Sequence, residues 1–75
     1  MFENDRGVAK DDAEAVRLYR LAAAQGHSAA QYNLGLMFAN GRGVAKDEAE
    51  AIRLYRLAAA QGYANAIAAL KRFGA

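Results

Sequence analysis

The sequence predicts an all-α fold of antiparallel helix pairs, stacked as about two repeats. Three observations carry this. The stretch GVAKDDAEAVRLYRLAAAQG at 7–26 returns at 43–62 as GVAKDEAEAIRLYRLAAAQG, identical at 18 of 20 positions and shifted by 36 residues. Apolar residues recur at helical spacing along the whole chain, and nowhere do they alternate as a strand requires. The chain has no proline, and alanine, the best helix former, supplies 20 of its 75 residues.

The first helix, α1, is expected over 11–25. Ala15, Val16, Tyr19, Ala22 and Ala23 fall on one face at 100° per residue, with Leu18 at its edge. Asp11-x-x-Glu14 has the capping-box spacing, and Asp12 adds negative charge to the first turn. Gly26 suits the left-handed position after a helix. The second helix, α2, is expected over 28–40. Ser28-x-x-Gln31 reads as its capping box, and Ala30, Leu34, Met37 and Phe38 form its apolar stripe. Asn40 and Gly41 end it, and Gly43 gives the following loop a second flexible point.

Helix α3, expected over 47–61, repeats α1 between Asp47-x-x-Glu50 and Gly62. Helix α4, expected over 64–73, has a weaker start. Ala64 replaces Ser28, an exchange that costs about 1 kcal/mol unless Asn65 takes over the cap. Lys71 and Arg72 sit in its last turn, where they suit the helix dipole. The links α1–α2 and α3–α4 are two or three residues long, so each pair must be antiparallel.

Why the same sentence is written twice follows from burial. One such hairpin cannot hide its apolar face alone, whereas stacked copies hide it against each other. Each copy then meets the same neighbours, and identical surroundings select nearly identical residues. Ala22, Ala23, Ala58, Ala59 and Gly35 permit close helix approach. Asp12 against Glu48 and Val16 against Ile52 differ by one methylene each.

Composition excludes several function classes. There is no cysteine and one histidine, which leaves no disulfide framework and no ligand set for structural zinc. MFENDRGVAKDD has no apolar core for a signal peptide, and no apolar run approaches the ~20 residues of a membrane helix. The expectation is a soluble protein, cytoplasmic by default. A net charge of +2 is too mild to argue for nucleic acid.

The spacing Ala30-x-x-x-Leu34-Gly35-x-x-Phe38-x-x-Gly41-x-Gly43-Val44-x-x-Asp47-x-x-x-Ala51-x-x-x-Tyr55-x-x-Ala58-Ala59-x-x-Gly62 resembles one full Sel-one-like repeat, a relative of the tetratricopeptide repeats. The resemblance implies a right-handed α-solenoid and a scaffold that binds proteins or peptides, with the first helix of each pair on a concave face. It divides one repeat domain, 1–75, into a partial repeat 1–26, a full repeat 27–62 and a terminal helix within 63–75. Met1-Phe2 align with Met37-Phe38, so the first helix of the first pair is missing from this register. Asp5 stands where Gly41 stands, so a preserved turn would hold it in a left-handed conformation. Lys71 replaces Gly35. Leu21 and Leu57 stand where family members often carry a basic residue.

Fewer than three repeats and an uncovered side of α1 predict association of copies, by exchange of a terminal helix or by end-to-end stacking. The candidate contacts are Leu21, Leu57, Val16 and Tyr19. For a protein or peptide partner the candidates are Tyr32, Asn33, Leu36 and Asn40, on α2 outside its stripe. Leu18 and Leu54 are expected at the edge of a groove between α1 and α3.

Other motifs read as structure. Arg17, Arg20, Arg53 and Arg56 could form a basic stripe, but Glu14–Arg17 and Glu50–Arg53 pair at i,i+3 and acids interleave. His27 aligns with Tyr63, and both read as rings packed at a helix entrance, His27 against Tyr32. The acids at 11–14 and 47–50 lack calcium-loop spacing. GRGVAKD lacks the Gly-Lys-Ser/Thr and the strand of a phosphate loop. No cofactor is expected. Cysteine-rich relatives linked to β-lactam compounds are a poor guide, because their cysteines and any triad are absent here. The reading is a protein–protein contact scaffold without catalysis. Its alternative is a duplicated, consensus-like repeat that mainly self-assembles.

Overall fold

The computed structural model describes the backbone of residues 4–73 and the side chains of 12–73. Met1, Phe2 and the alignment drawn from them lie outside the described residues. Four helices follow in order: α1 Asn4–Ala24, α2 Ser28–Asn40, α3 Glu48–Ala60 and α4 Ala64–Arg72. No strand occurs among the described residues. Each helix packs chiefly on its neighbours in the chain, and the α2–α3 interface is the most extensive. This is the expected all-α repeat, with α2 sandwiched between α1 and α3.

Helix α1 departs from expectation at its start. It begins at Asn4, so Asp11 lies inside it and not at its start. GVAKD is helical at 7–11, and the same letters at 43–47 form a loop. Tertiary contacts separate the two. The loop at 41–47 is pinned by Gly41 at φ 68° and Gly43 at φ 73°. Arg42 N–H donates to the Met37 carbonyl at 2.9 Å, and Asp47 N–H donates to the Phe38 carbonyl at 2.9 Å. In the first copy, Asp5 replaces Gly41, and its β-carbon disfavours the left-handed turn. Elongating an existing helix adds one hydrogen bond per residue with no new nucleus to form. Asp5 is accordingly a helical residue, against the left-handed reading.

The starts of α2 and α4 also differ from expectation. His27 is the residue before α2, extended at φ −75° and ψ 114°, and no side chain caps the helix. Ser28 is therefore the first helical residue and not a cap. Tyr63 precedes α4 in the same way, at φ −71° and ψ 109°. With no cap at Ser28, Ala64 loses none. Asp47 does cap α3, its carboxylate accepting from Glu50 N–H at 3.1 Å. The other half of that box is not made, because the Glu50 carboxylate turns to Arg53.

The two tight turns are alike. Gly26 and Gly62 have φ of 88° and 83°. His27 N–H donates to Ala22 O at 3.3 Å and Tyr63 N–H to Ala58 O at 3.2 Å. These six-to-one bonds satisfy carbonyls that a helix end otherwise leaves open.

Two clusters form the core. Val16, Leu34, Met37 and Leu54 meet where α1, α2 and α3 converge. Ala51, Tyr55, Ala58, Ala66 and Ala69 join α3 to α4, with Tyr32, Tyr63 and Phe73 packed against them. Phe38 touches both clusters. Gly35 explains how close α2 and α3 come. A β-carbon there would lie 2.7 Å from Tyr55 Cε1 and 3.3 Å from the Ala51 carbonyl oxygen.

Candidate functional site

The two copies of the repeated segment have different surroundings. In α3, Ala51, Leu54, Tyr55 and Ala58 are all buried, Tyr55 at 1% exposure and Leu54 at 2%. Their counterparts in α1 are Ala15, Leu18, Tyr19 and Ala22. Three of these are half-buried, and Leu18 is 50% exposed. Leu18 and Leu54 therefore do not share the edge position expected of both. The cause is neighbours: α3 packs on α2 and α4, whereas α1 packs chiefly on α2.

On this less buried side of α1 lies a groove of about 280 Å³ between α1 and α2. Asp12, Ala15 and Tyr19 form one wall, Asn33, Leu36 and Met37 the other, and Arg42 closes one end. The walls face each other because the short turn at Gly26 sets the helices antiparallel and because Ala15 is small. The closed end is a clasp. Arg42 Nη2 donates to Asp12 Oδ1 at 2.8 Å, and Nε donates to Oδ2 at 3.3 Å. This hydrogen-bonded carboxylate holds the Arg42 guanidinium above its ordinary pKa. Gly43 lets the loop lie on α1, since a β-carbon there would stand 2.6 Å from the Asp12 carbonyl oxygen.

A second groove, of about 250 Å³, lies between α1 and α3. Leu34, Leu54 and Leu57 line it together with Arg20, Glu50 and Arg53. Its charges are mutually engaged. Arg53 Nε donates to Glu50 Oε1 at 2.9 Å, and the Arg20 guanidinium sits 5.6 Å from the centre of the Phe38 ring. The expected i,i+3 pairs are thus formed. The Arg17 hydrogen bond draws the Glu14 carboxyl below its ordinary value, and Arg53 does the same to Glu50.

Of the residues proposed for a partner, Asn33 and Leu36 line the first groove. Tyr32 does not. Its ring packs 5.7 Å from Tyr55 and 5.5 Å from Tyr63. Asn40 is exposed at the end of α2. Of the residues proposed for self-association, Tyr19 lines the first groove and Leu57 the second. Leu21 is 56% exposed, whereas Val16 at 5% is buried among Leu34, Met37 and Leu54 and has no surface to offer. The ring meeting Tyr32 at a helix entrance is Tyr63, and His27 is exposed.

Sequence reasoning missed Gln31. It is buried, its Nε2 donates to the Ala23 carbonyl at 3.3 Å, and its Oε1 accepts from Gln61 Nε2 at 3.2 Å. One amide thereby ties α2 to the last turn of α1 and to the end of α3. Its counterpart Ile67 is exposed.

Among the described residues, no three of His, Cys, Asp and Glu gather as metal ligands, and no helix is long and apolar enough to cross a membrane. Short antiparallel pairs, a 36-residue period and glycine-set turns define a helical-repeat protein. A family model for the Sel1 repeat matches residues 1–27 and 28–63, and the chain belongs to the Sel1 repeat family. Repeats of this family generally serve protein–protein contact. Comparison with curated proteins and with solved structures gave no match.

Proposed function

We propose that the chain is a protein-interaction platform without catalysis, and that the groove between α1 and α2 is the seat of its partner. One observation supports this most. Two of the residues buried on α3, Ala51 and Tyr55, are repeated in α1 as Ala15 and Tyr19, which line an open groove. Such a face gains by being covered, at about 25 cal/mol for each Å² of apolar surface removed from water. Asn33 on the wall and the Arg42–Asp12 clasp at the end supply polar groups that set a partner's register. Tyr32, Leu21 and Val16 take no part in this seat. Association of copies through Leu21 and Leu57 is the alternative reading, favoured by their exposure.

A displayed library of helical peptides panned on the purified chain tests the proposal. Enriched peptides are expected to lose binding to Ala15→Arg and to Asn33→Lys variants that retain full helicity, and to bind the chain at its monomer mass by light scattering. Peptides indifferent to both substitutions would refute the groove. A chain that binds none, and whose copies associate until Leu21→Glu and Leu57→Glu separate them, supports the alternative.

A further inference from the structure

We infer that the segment 41–47 is a hinge through which two copies of the chain exchange helix hairpins, and that Gly41 is the residue that holds it shut. The inference goes beyond the platform reading and does not depend on it. It starts from nearly one sequence in two conformations. Residues 40–47 read NGRGVAKD and residues 4–11 read NDRGVAKD, so the stretches differ only at Gly41 and Asp5. The first leaves the helix after Asn40, and the second is helical throughout. The differing residue stands where the loop demands most of its backbone. Gly41 lies at φ 68°, and a β-carbon there would meet Lys46 Cβ at 3.2 Å. Two further contacts hold the loop down. Arg42 is paired with Asp12 at 2.8 Å, and Gly43 lies on the Asp12 carbonyl. Gly43 is no bar to a helix, because its counterpart Gly7 lies within one.

Without the turn at Gly41, helix propagation runs from α2 into α3, because each added residue gains a hydrogen bond with no new nucleus. Residues 28–60 then form one rod, about 50 Å long at 1.5 Å per residue. A straight rod parts α2 from α3 and uncovers residues buried between them, Leu34 and Leu54 among them. A second opened copy covers them again. Its α1–α2 hairpin takes the place on α3 that the chain's own hairpin has left. The α2–α3 contacts are remade between chains, including Gly35 on the Tyr55 ring and Gln31 on Gln61. The occupant is a second copy because that hairpin already carries the surface fitted to this face. Closed monomer and exchanged dimer thus share their helix contacts, and the hinge residues set the balance between them at a given concentration.

The test uses the intact chain, its Gly41→Ala variant and Gly41→Asn as a control, since asparagine tolerates a left-handed turn. Each is refolded from urea over a range of concentrations. Mass is read by light scattering and helix content by circular dichroism. The unsubstituted chain is expected to give a monomer and a dimer whose share grows with the concentration at refolding. Gly41→Ala is expected to raise the dimer association constant by at least about tenfold, the strain of a β-carbon at positive φ, and to raise helix content. Gly41→Asn is expected to stay near the unsubstituted chain. Isotope-filtered NMR on a dimer of labelled and unlabelled chains then locates the contact of Gly35 with the Tyr55 ring, which is expected between chains. A dimer that keeps this contact within each chain overturns the hinge and shows association through the surface. A Gly41→Ala chain that stays monomeric at unchanged helix content also overturns it. Where Gly41→Ala does not fold, the unsubstituted chain decides: no dimer after refolding at millimolar concentration overturns the inference. The platform reading stands or falls separately, on the panned peptides.

Discussion

At the scale of single residues, Gly35 and Gln31 do work that their neighbours cannot. Gly35 was legible in the sequence as a point of close approach, because a glycine inside a strongly helical stretch is otherwise a loss of about 1 kcal/mol. The ring it accommodates was not legible, since spacing alone does not say which side chain of α3 lies opposite. Gly35→Ala should lower stability. Alanine improves helix propensity, but its β-carbon meets a Tyr55 ring at 1% exposure with no room to yield. Overpacking of about 1–3 kcal/mol outweighs the gain. The thermal midpoint should fall by several degrees, at about 4–8 °C per kcal/mol for a domain this size. An unchanged or raised midpoint would show that the ring moves aside. Gln31 escaped reading because Ser28-x-x-Gln31 has the spacing of a capping box. A buried amide shared among three helices leaves no periodic signal, since its partners, the Ala23 carbonyl and Gln61, are chosen by the fold.

At the scale of helices, the sequence places their bodies better than their ends. The bodies follow from apolar spacing, which is local. The ends depend on which contacts hold the flanking residues. GVAKD shows this directly, as a loop at 43–47 where Arg42 grips Asp12 and Gly43 lies on α1, and as helix at 7–11. Asp11 and Asp47 have nearly the same local sequence, yet Asp47 precedes its helix and caps it, whereas Asp11 lies within one. The paired acids give the helices a dependence on pH whose sign is fixed. Arg17 and Arg53 hold Glu14 and Glu50 below their ordinary carboxyl values. A carboxyl lowered in the folded state stabilises it above the unfolded value, roughly pH 4.3, and this is lost as pH falls through the folded value. The midpoint of urea unfolding should therefore decline on acidification from about pH 6 to about pH 3. It should decline less when both Arg17 and Arg53 are changed to Gln. Identical slopes for the two proteins would show that the pairs contribute nothing, as many exposed ion pairs do.

At the scale of the whole molecule, two near-copies of one helix occupy unlike places. The duplication, the helix pairing and the uncovered side of α1 were all legible from the 36-residue shift. The groove itself was legible only in part. Asn33 and Leu36 were found because they lie off the apolar stripe of α2, whereas Asp12, Ala15 and Arg42 come from elsewhere and join them only through the hairpin and its following loop. Tyr32 lies off the same stripe but turns to Tyr55 and Tyr63, a direction set by α3 and α4.

The central claim is that α1 and α3, alike in sequence, differ in cover. Residue-resolved hydrogen exchange of the native chain measures this directly. The amides of Tyr55 and Ala58 should exchange only with global unfolding, while those of Tyr19 and Ala22 should exchange markedly faster, through local opening. Equal protection of the two helices would contradict the account.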